Sequence, residues 1–367
     1  MTDLDLIATT DQILKEARNG RIIILIDDEN SEHGGDLVVP AQMATPDAIN
    51  FMATHARGLV CLALTEERVQ QLNIVSMIER NRPRNNTAFT VSIEAREGVT
   101  TGISAADRAR TIAVAINGSA SDIVCPGHVF PIVAREGGVL VRAGHPEAAV
   151  DISRLAGLNP SGVICKIMNE DGTMSQADDL MRFAQAHGIK IATIRDLIAY
   201  RLRHDHLITS LGVGEFESRW GGKWKIATFW NSATKTEQTA LIKGDVLDDE
   251  PTLVRMHAIS PMADTLGEIG DRNGLLSRTM EMIGAAGNGV IVLLNRANQQ
   301  GFGQFKLNRN PSESDHAEDA REYGTGAMVL SELKVGEIIL LTNGHHDLVA
   351  LEGFGIKIVE ERRIEQL

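Results

Sequence analysis

The chain has 367 residues, 43% of them apolar and 23% charged, which is enough for more than one core and favours two domains. Its 36 Lys and Arg stand against 49 Asp and Glu, a formal charge of −13 that repels phosphate backbones; with no local basic patch, nucleic acid is not expected as a partner. There is no basic-then-apolar leader, no run approaching a membrane span and no cysteine beyond Cys61, Cys125 and Cys165, so secretion, a membrane partner, a disulfide scaffold and CxxC zinc knuckles are all excluded as expectations and a soluble cytoplasmic protein is expected.

In chain order, Thr10 to Arg18 has helical apolar spacing and Asn19-Gly20 stops it. Arg21 to Ile26 is a β-branched run short enough for a buried strand, followed by the acidic loop Asp27 to Asp36 and a second strand at Leu37 to Pro40. A Thr-Pro start opens a helix over Pro46 to Thr54; Gly58 to Leu64 is a buried strand and Phe89 to Ile93 an alternating one. Ser104 to Ala115 is a helix with Asp107 in its first turns, and a stretch punctuated by Gly and Pro runs on to a helix from Pro146 toward Ala156. Asp178 to His187 is a helix ended by Gly188, Ile189 to Thr193 a strand and Asp196 to Arg203 a helix. The texture changes there, which places a boundary near residues 203 to 210 and domains at 1–205 and 206–367. Trp220, Trp224 and Trp230 flank a hairpin turn at Gly221-Gly222. Strands at Gly289 to Leu294 and Glu337 to Thr342 then alternate with helices at Leu275 to Ala285 and Glu318 to Leu333.

Two groups of residues can carry chemistry. Glu29, Glu32 and Asp36 lie in a loop directly after a buried strand, with His33, Gly34 and Gly35; their hard oxygen donors suit Mg2+ or Mn2+, and a solvated acidic turn is the plain alternative. Arg142, His145 and Glu147 in VRAGHPEA, and His128 in CPGHVFP, form the second group. An imidazole can ligate a metal or move protons near neutral pH, though a single histidine is more often structural. Arg142 can grip a phosphate or carboxylate, and Thr100 and Thr101 offer hydroxyls at a strand-to-helix turn, where a simple cap is the other reading.

The segments DDENSEHGGD, GLVCLALTEER, GVTTGISAADR, PGHVFP, GGVLVRAGH and NEDGTM, in that order over Asp11 to Arg203, resemble 3,4-dihydroxy-2-butanone 4-phosphate synthase. From Leu211 to Leu367 the pieces VRMHAISPMAD, YGTGAMVL and LLTNG resemble a fused GTP cyclohydrolase II domain. The resemblance implies two domains of α+β or α/β class and conversion of ribulose 5-phosphate to dihydroxybutanone phosphate and formate with magnesium. It implies that Glu32 and His145 hold the metal and that Asp36 joins the acid–base work. Cys61 would line the pocket, and Arg142, His128, Thr100 and Thr101 would hold the phosphate end.

Departures from the family pattern cluster in the pocket. The arginine before the metal-binding glutamate is Ser31, a second glutamate is Gly34, the arginine before PGH is Cys125, the threonine after the metal histidine is Pro146, and the catalytic glutamate is Lys166. Lys166 could serve as a base or form a Schiff base, or it could simply point to solvent or pair with an acidic neighbour. In the second domain, Ser260, Asp271 and Asn273 stand where three zinc cysteines are required, and Arg296 to Gln300 replace an RQEGR-like stretch. The expectation there is no zinc, a domain degenerate at that site without GTP cyclohydrolase II activity, and a role supporting structure or a homodimer.

Three readings are open for the whole chain. One is the family reaction on a small-molecule substrate. Another is a diverged lyase releasing formaldehyde or formate from a different hydroxylated substrate, unphosphorylated or aromatic. The third is a non-catalytic paralogue that binds a ligand or a partner.

Overall fold

The structure, a computed structural model, describes residues 6–27, 34–77, 88–205, 207–245, 251–270, 272–295, 315–343 and 356–364, with side chains of 315–323 excepted. The chain divides into two compact units, Met1–Tyr200 and Arg201–Leu367.

In the first unit the described elements are α1 (Thr10–Arg18), β1 (Ile23–Ile26), β2 (Asp36–Pro40), α2 (Pro46–Phe51), β3 (Arg57–Thr65), α3 (Glu66–Gln71), β4 (Ile93–Ala95), α4 (Ala105–Asn117), β5 (Ile123–Ala134), α5 (His145–Leu155), β6 (Ser161–Ile167), α6 (Ala177–His187), β7 (Ile191–Thr193) and α7 (Ile194–His204). Seven strands form one mixed sheet in the order β4-β5-β3-β6-β2-β1-β7. Strand alternation divides the core in two. Val38, Cys61, Ile132 and Ile164 face α1, α5 and α7, meeting Leu14, Ala149, Ile152 and Leu197. Their neighbours Leu37, Leu62, Val163 and Cys165 face α2, α4 and α6, meeting Ile49, Ile112 and Leu180. The unit is therefore a three-layered α/β sandwich.

Leu62 is fully buried in the second of these layers, whereas Val75 is 63% exposed. Leu62→Ala is expected to cost about 2–5 kcal/mol, because the lost contacts leave a cavity, and Val75→Ala less than about 0.5 kcal/mol. Urea unfolding of the two variants checks the contrast.

The second unit contains β8 (Ile208–Ser218), β9 (Gly222–Asn231), β10 (Thr236–Lys243), β11 (Thr252–Ala258), α8 (Leu275–Ala286), β12 (Gly289–Leu294), α9 (Asp315–Glu332), β13 (Glu337–Leu341) and β14 (Lys357–Arg362). Its sheet runs β14-β13-β11-β12-β10-β9-β8. The hairpin expected at Gly221-Gly222 joins β8 to β9, and Trp224 is buried beneath it with its Nε1–H donated to the Trp220 carbonyl at 3.0 Å. Among the described residues no helix is long and apolar enough to cross a membrane.

The structure corrects several local expectations. The helix expected over Pro46 to Thr54 stops as an α-helix at Phe51 and continues as a π-helical turn, Met52–Ala56. The strand expected at Phe89 to Ile93 is reduced to isolated bridges at Phe89 and Thr90, with β4 starting at Ile93. The stretch around Cys125, which Gly and Pro punctuate, is instead a 12-residue strand. Its Pro126 interrupts no ladder, because it lies in a bulge between the pairings of Val124 with Glu94 and of Val129 with Ile93.

Candidate active site

The register of β2 against β6 sets Asp36 directly opposite Lys166. Directly opposed residues share a face and approach closely, and here Lys166 Nζ donates to Asp36 Oδ2 at 2.9 Å. His145, the first residue of α5, donates from Nδ1 to the same oxygen. Its Nε2 lies 3.3 Å from Oδ1 of Asp27, which follows β1. Lys166 Nζ and His145 Nδ1 are 3.2 Å apart because both donors converge on one acceptor. We read that approach as a shared partner rather than as a bond between them.

The Asp36 side chain is 3% exposed. Burial alone would push its carboxyl up, yet the charges of His145 and Lys166 and their hydrogen bonds outweigh burial and hold it below the usual carboxylate range. For His145 burial pulls the imidazole down, but Asp36 and Asp27 overcome this and lift it above its ordinary value, with Lys166 opposing them. The result is a buried carboxylate compensated by two cations, an arrangement in which no single member can be removed cheaply.

Cys61 lies on the same face of the sheet, on β3 between β6 and β5. Burial, then the nearby Asp36 charge, pushes its thiol up to about 12, and Cys165 is pushed up to about 12 for the same two reasons. Neither is a thiolate near neutral pH, so neither is a nucleophile. This placement suits Cys61 to lining rather than reacting.

The other residues singled out in the sequence belong to separate hydrogen-bonded sets. Arg142 spans the carboxylate of Glu147, at 3.3 and 3.4 Å, and Glu147 is fully buried and also accepts the Arg135 N–H at 2.9 Å. Thr100 donates its hydroxyl and its backbone N–H to Asp107, at 2.8 and 3.0 Å, while Thr101 is exposed. His128 Nδ1 bonds Glu94 Oε2 at 2.7 Å. Cys61 is level with Phe130 on one side and Ile164 on the other, whereas His128 lies in the bulge of β5 between its pairings at Val124 and Val129.

Glu32, with Glu29, Ser31 and His33, lies outside the described residues, and among the described residues no group of three His, Cys, Asp or Glu side chains is arranged to hold a metal ion. What is described fits one nevertheless. Asp36 fixes Nδ1 of His145, which leaves Nε2 facing a carboxylate oxygen, as in metal-binding histidines whose other nitrogen is held by an acid. An imidazole with carboxylates suits Mg2+ or Mn2+. Asp27, Glu94 and Asp107 were not singled out as site residues in the sequence. Each acts on a partner distant in the chain or across a loop, which no local pattern signals.

In the second unit Ser260 is the N-cap of a π-helical turn, Pro261–Thr265, and its backbone N–H donates to Asp264 Oδ2 at 2.7 Å. That carboxylate also meets His257 Nε2 at 2.9 Å. Asp271 and Arg296 to Gln300 lie outside the described residues.

Residues 11–200 match the family model for 3,4-dihydroxy-2-butanone 4-phosphate synthase, and residues 212–363 that for GTP cyclohydrolase II. The riboflavin biosynthesis protein RibBA of Aquifex aeolicus (strain VF5) is 44% identical over 370 residues, covering 96% of this chain and 91% of that one. The crystal structure of RibBX, a two-domain 3,4-dihydroxy-2-butanone 4-phosphate synthase from A. baumannii, is similar with a TM-score of 0.82 at 36% identity, over 97% of this chain and 99% of that one. A 3,4-dihydroxy-2-butanone 4-phosphate synthase in complex with two magnesium ions gives a TM-score of 0.51 at 35% identity, over 54% of this chain and 98% of that one.

These findings correct one expectation. Loss of the three cysteine positions was read as removing GTP cyclohydrolase II activity, yet the second unit matches that family over almost its whole length and the A. aeolicus relative, aligned through both units, is a RibBA protein. The match extends across the domain, whereas the missing cysteines concern one set of metal ligands within it. Describing that domain as degenerate falls with that expectation.

Proposed function

This chain belongs to the 3,4-dihydroxy-2-butanone 4-phosphate synthase family, with a GTP cyclohydrolase II domain behind it, and from that premise we propose that its first unit is a carbon–carbon lyase dependent on a divalent cation. The reaction is release of formate from ribulose 5-phosphate, leaving dihydroxybutanone phosphate. The observation that supports it most is the convergence of Lys166 and His145 on the buried Asp36 carboxylate.

A bound Mg2+ or Mn2+ would supply Lewis-acid polarisation of neighbouring substrate oxygens. Glu32 and His145 would hold it, His145 through Nε2 while Asp36 keeps Nδ1. Asp36 Oδ2 now takes two hydrogen bonds; when a substrate oxygen draws away the Lys166 donor, that carboxylate can accept a proton from the carbon beside the carbonyl. Lys166 Nζ, on a side chain 45% exposed, can then donate to the developing oxyanion. His128 would take the phosphate end together with Arg142, Thr100 and Thr101, and Cys61 would line the pocket. The active form is proposed to be a homodimer in the cytoplasm, which sedimentation and fractionation test.

A second reading is favoured by one observation. An ammonium stands in direct register with Asp36 where the family pattern has a glutamate, which suits a lyase acting on another hydroxylated substrate and releasing formaldehyde or formate. Purified full-length protein with magnesium and ribulose 5-phosphate, assayed for both one-carbon products, separates the two. Formate at turnover typical of enzymes supports the first reading, and its absence beside release from another polyol or aromatic alcohol supports the second. Chelator should abolish either activity and Mg2+ or Mn2+ restore it; full activity in chelator would remove the metal from the proposal. GTP turnover by the same preparation reads the second unit directly.

A further inference from the structure

Glu94 sits on the three-residue edge strand β4, with its side chain 12% exposed. A carboxylate in that position needs partners. It has the His128 imidazole at 2.7 Å and the Thr111 hydroxyl, which donates to the other oxygen at 3.5 Å. A third neighbour is backbone. Gly102, at φ +87°, lies flat against the carboxylate, so a Cβ there would come within 2.2 Å of Glu94 Oε2. Gly102 belongs to the turn that carries Thr100 and Thr101, and Asp107 fastens the turn by accepting the Gly102 N–H at 3.0 Å and both donors of Thr100. His128 is thus tied through one carboxylate to the loop of the two threonines.

We infer that Glu94 is a positioning residue that fixes which nitrogen of His128 meets the oxyanion end of the substrate. An ionised carboxylate can only accept, so it requires the proton on Nδ1 and leaves Nε2 to face the ligand. The His128 side chain is 44% exposed, which leaves Nε2 room to do so. The close contact with Gly102 seats the carboxylate that holds this imidazole against the turn of Thr100 and Thr101. Glu94 therefore acts through His128 and touches no substrate. What the ligand is rests on the lyase reading above; how the imidazole is held does not.

Nitrogen-15 NMR of full-length protein labelled at histidine, with His128 assigned by loss of its signal in His128→Gln, reads the tautomer without any substrate. The neutral ring in the wild type is expected to carry its proton on Nδ1, and a wild-type ring protonated on Nε2 would overturn the inference without any variant. Glu94→Gln offers an amide that can donate as well as accept, so the proton should be shared between the two nitrogens. In the lyase assay the same variant should lower kcat/KM roughly 10- to 100-fold, mostly through KM, as loss of a supporting partner does. Thr111→Val removes the other side-chain bond to Glu94 and should leave tautomer and KM unchanged. An unaltered tautomer in Glu94→Gln sinks the inference even if activity falls, whereas a shifted tautomer in a protein without lyase activity sinks only the lyase reading.

Discussion

Asp36→Ala is expected to destabilise the first unit by about 3–5 kcal/mol, which is the cost of leaving a buried ionic group without its partner. The same change should lower lyase turnover roughly 10²- to 10⁴-fold, the range for loss of a group that moves protons. Both effects follow from one geometry, in which Lys166 and His145 donate to the same oxygen of a side chain only 3% exposed. Lys166 can turn toward water, since its side chain is 45% exposed, and this places the loss nearer the lower end of the range. His145 cannot turn away, because it is buried at the start of α5 with its other nitrogen facing Asp27.

Asp36→Asn separates the two effects. It keeps the volume and one acceptor but not the charge, so stability should recover in part while turnover stays low. Urea unfolding and steady-state kinetics on the same preparations decide it. An unchanged unfolding midpoint in Asp36→Ala would mean that the cluster does not form in solution.

Much of the scaffold was legible because its signals are local. The β-branched run that ends in β1, the Thr-Pro entry to α2 and the glycine after α6 each lie within a few residues of what they determine. The site was legible only as a set of residue types. Asp36 and His145 are 109 residues apart, and Asp36 meets Lys166 through the register of two strands, a property of the folded sheet alone. Lys166 stands in the sequence as an amine where a carboxylate is usual, open to use as a base, as a Schiff base, facing solvent or paired with an acid. Pairing with an acidic neighbour is what the structure shows. Arg142 reads in the sequence as a group for a phosphate or a carboxylate, and the carboxylate it meets in the structure, Glu147, follows five residues later within the same quoted motif. β5 was hidden because Cys125-Pro126-Gly127 looks like a loop. Gly127 is needed there for close packing, since a Cβ on it would lie 2.1 Å from the Ile93 carbonyl oxygen.

Lys166→Glu is the sharpest test of how this pocket differs from the pattern its family carries. The substitution sets a second carboxylate opposite Asp36, and like charges directly opposed across a strand pair repel. Asp36 would lose a donor at 2.9 Å and keep only His145. Two carboxylates so close cannot both stay ionised, and one proton would be held between them with apparent pKa values belonging to the pair. A base that retains its proton is no base, so turnover of the native substrate is expected to fall roughly 10²-fold or more. A rise in formate release from ribulose 5-phosphate is not expected. The arginine that precedes the metal-binding glutamate in the family pattern is Ser31 here, and Gly34, Cys125 and Pro146 also stand in place of polar or charged groups. Groups that act as a unit seldom recover through one reversion. Lys166→Met supplies the control, since it removes the ammonium without adding charge. If Lys166→Met and Lys166→Glu are equally impaired, the lost ammonium accounts for the defect. If the glutamate variant is worse, repulsion at Asp36 adds to it. Strong formate release from ribulose 5-phosphate by Lys166→Glu alone would show that the pocket kept the chemistry of its family and that the ion pair with Asp36 restrains it.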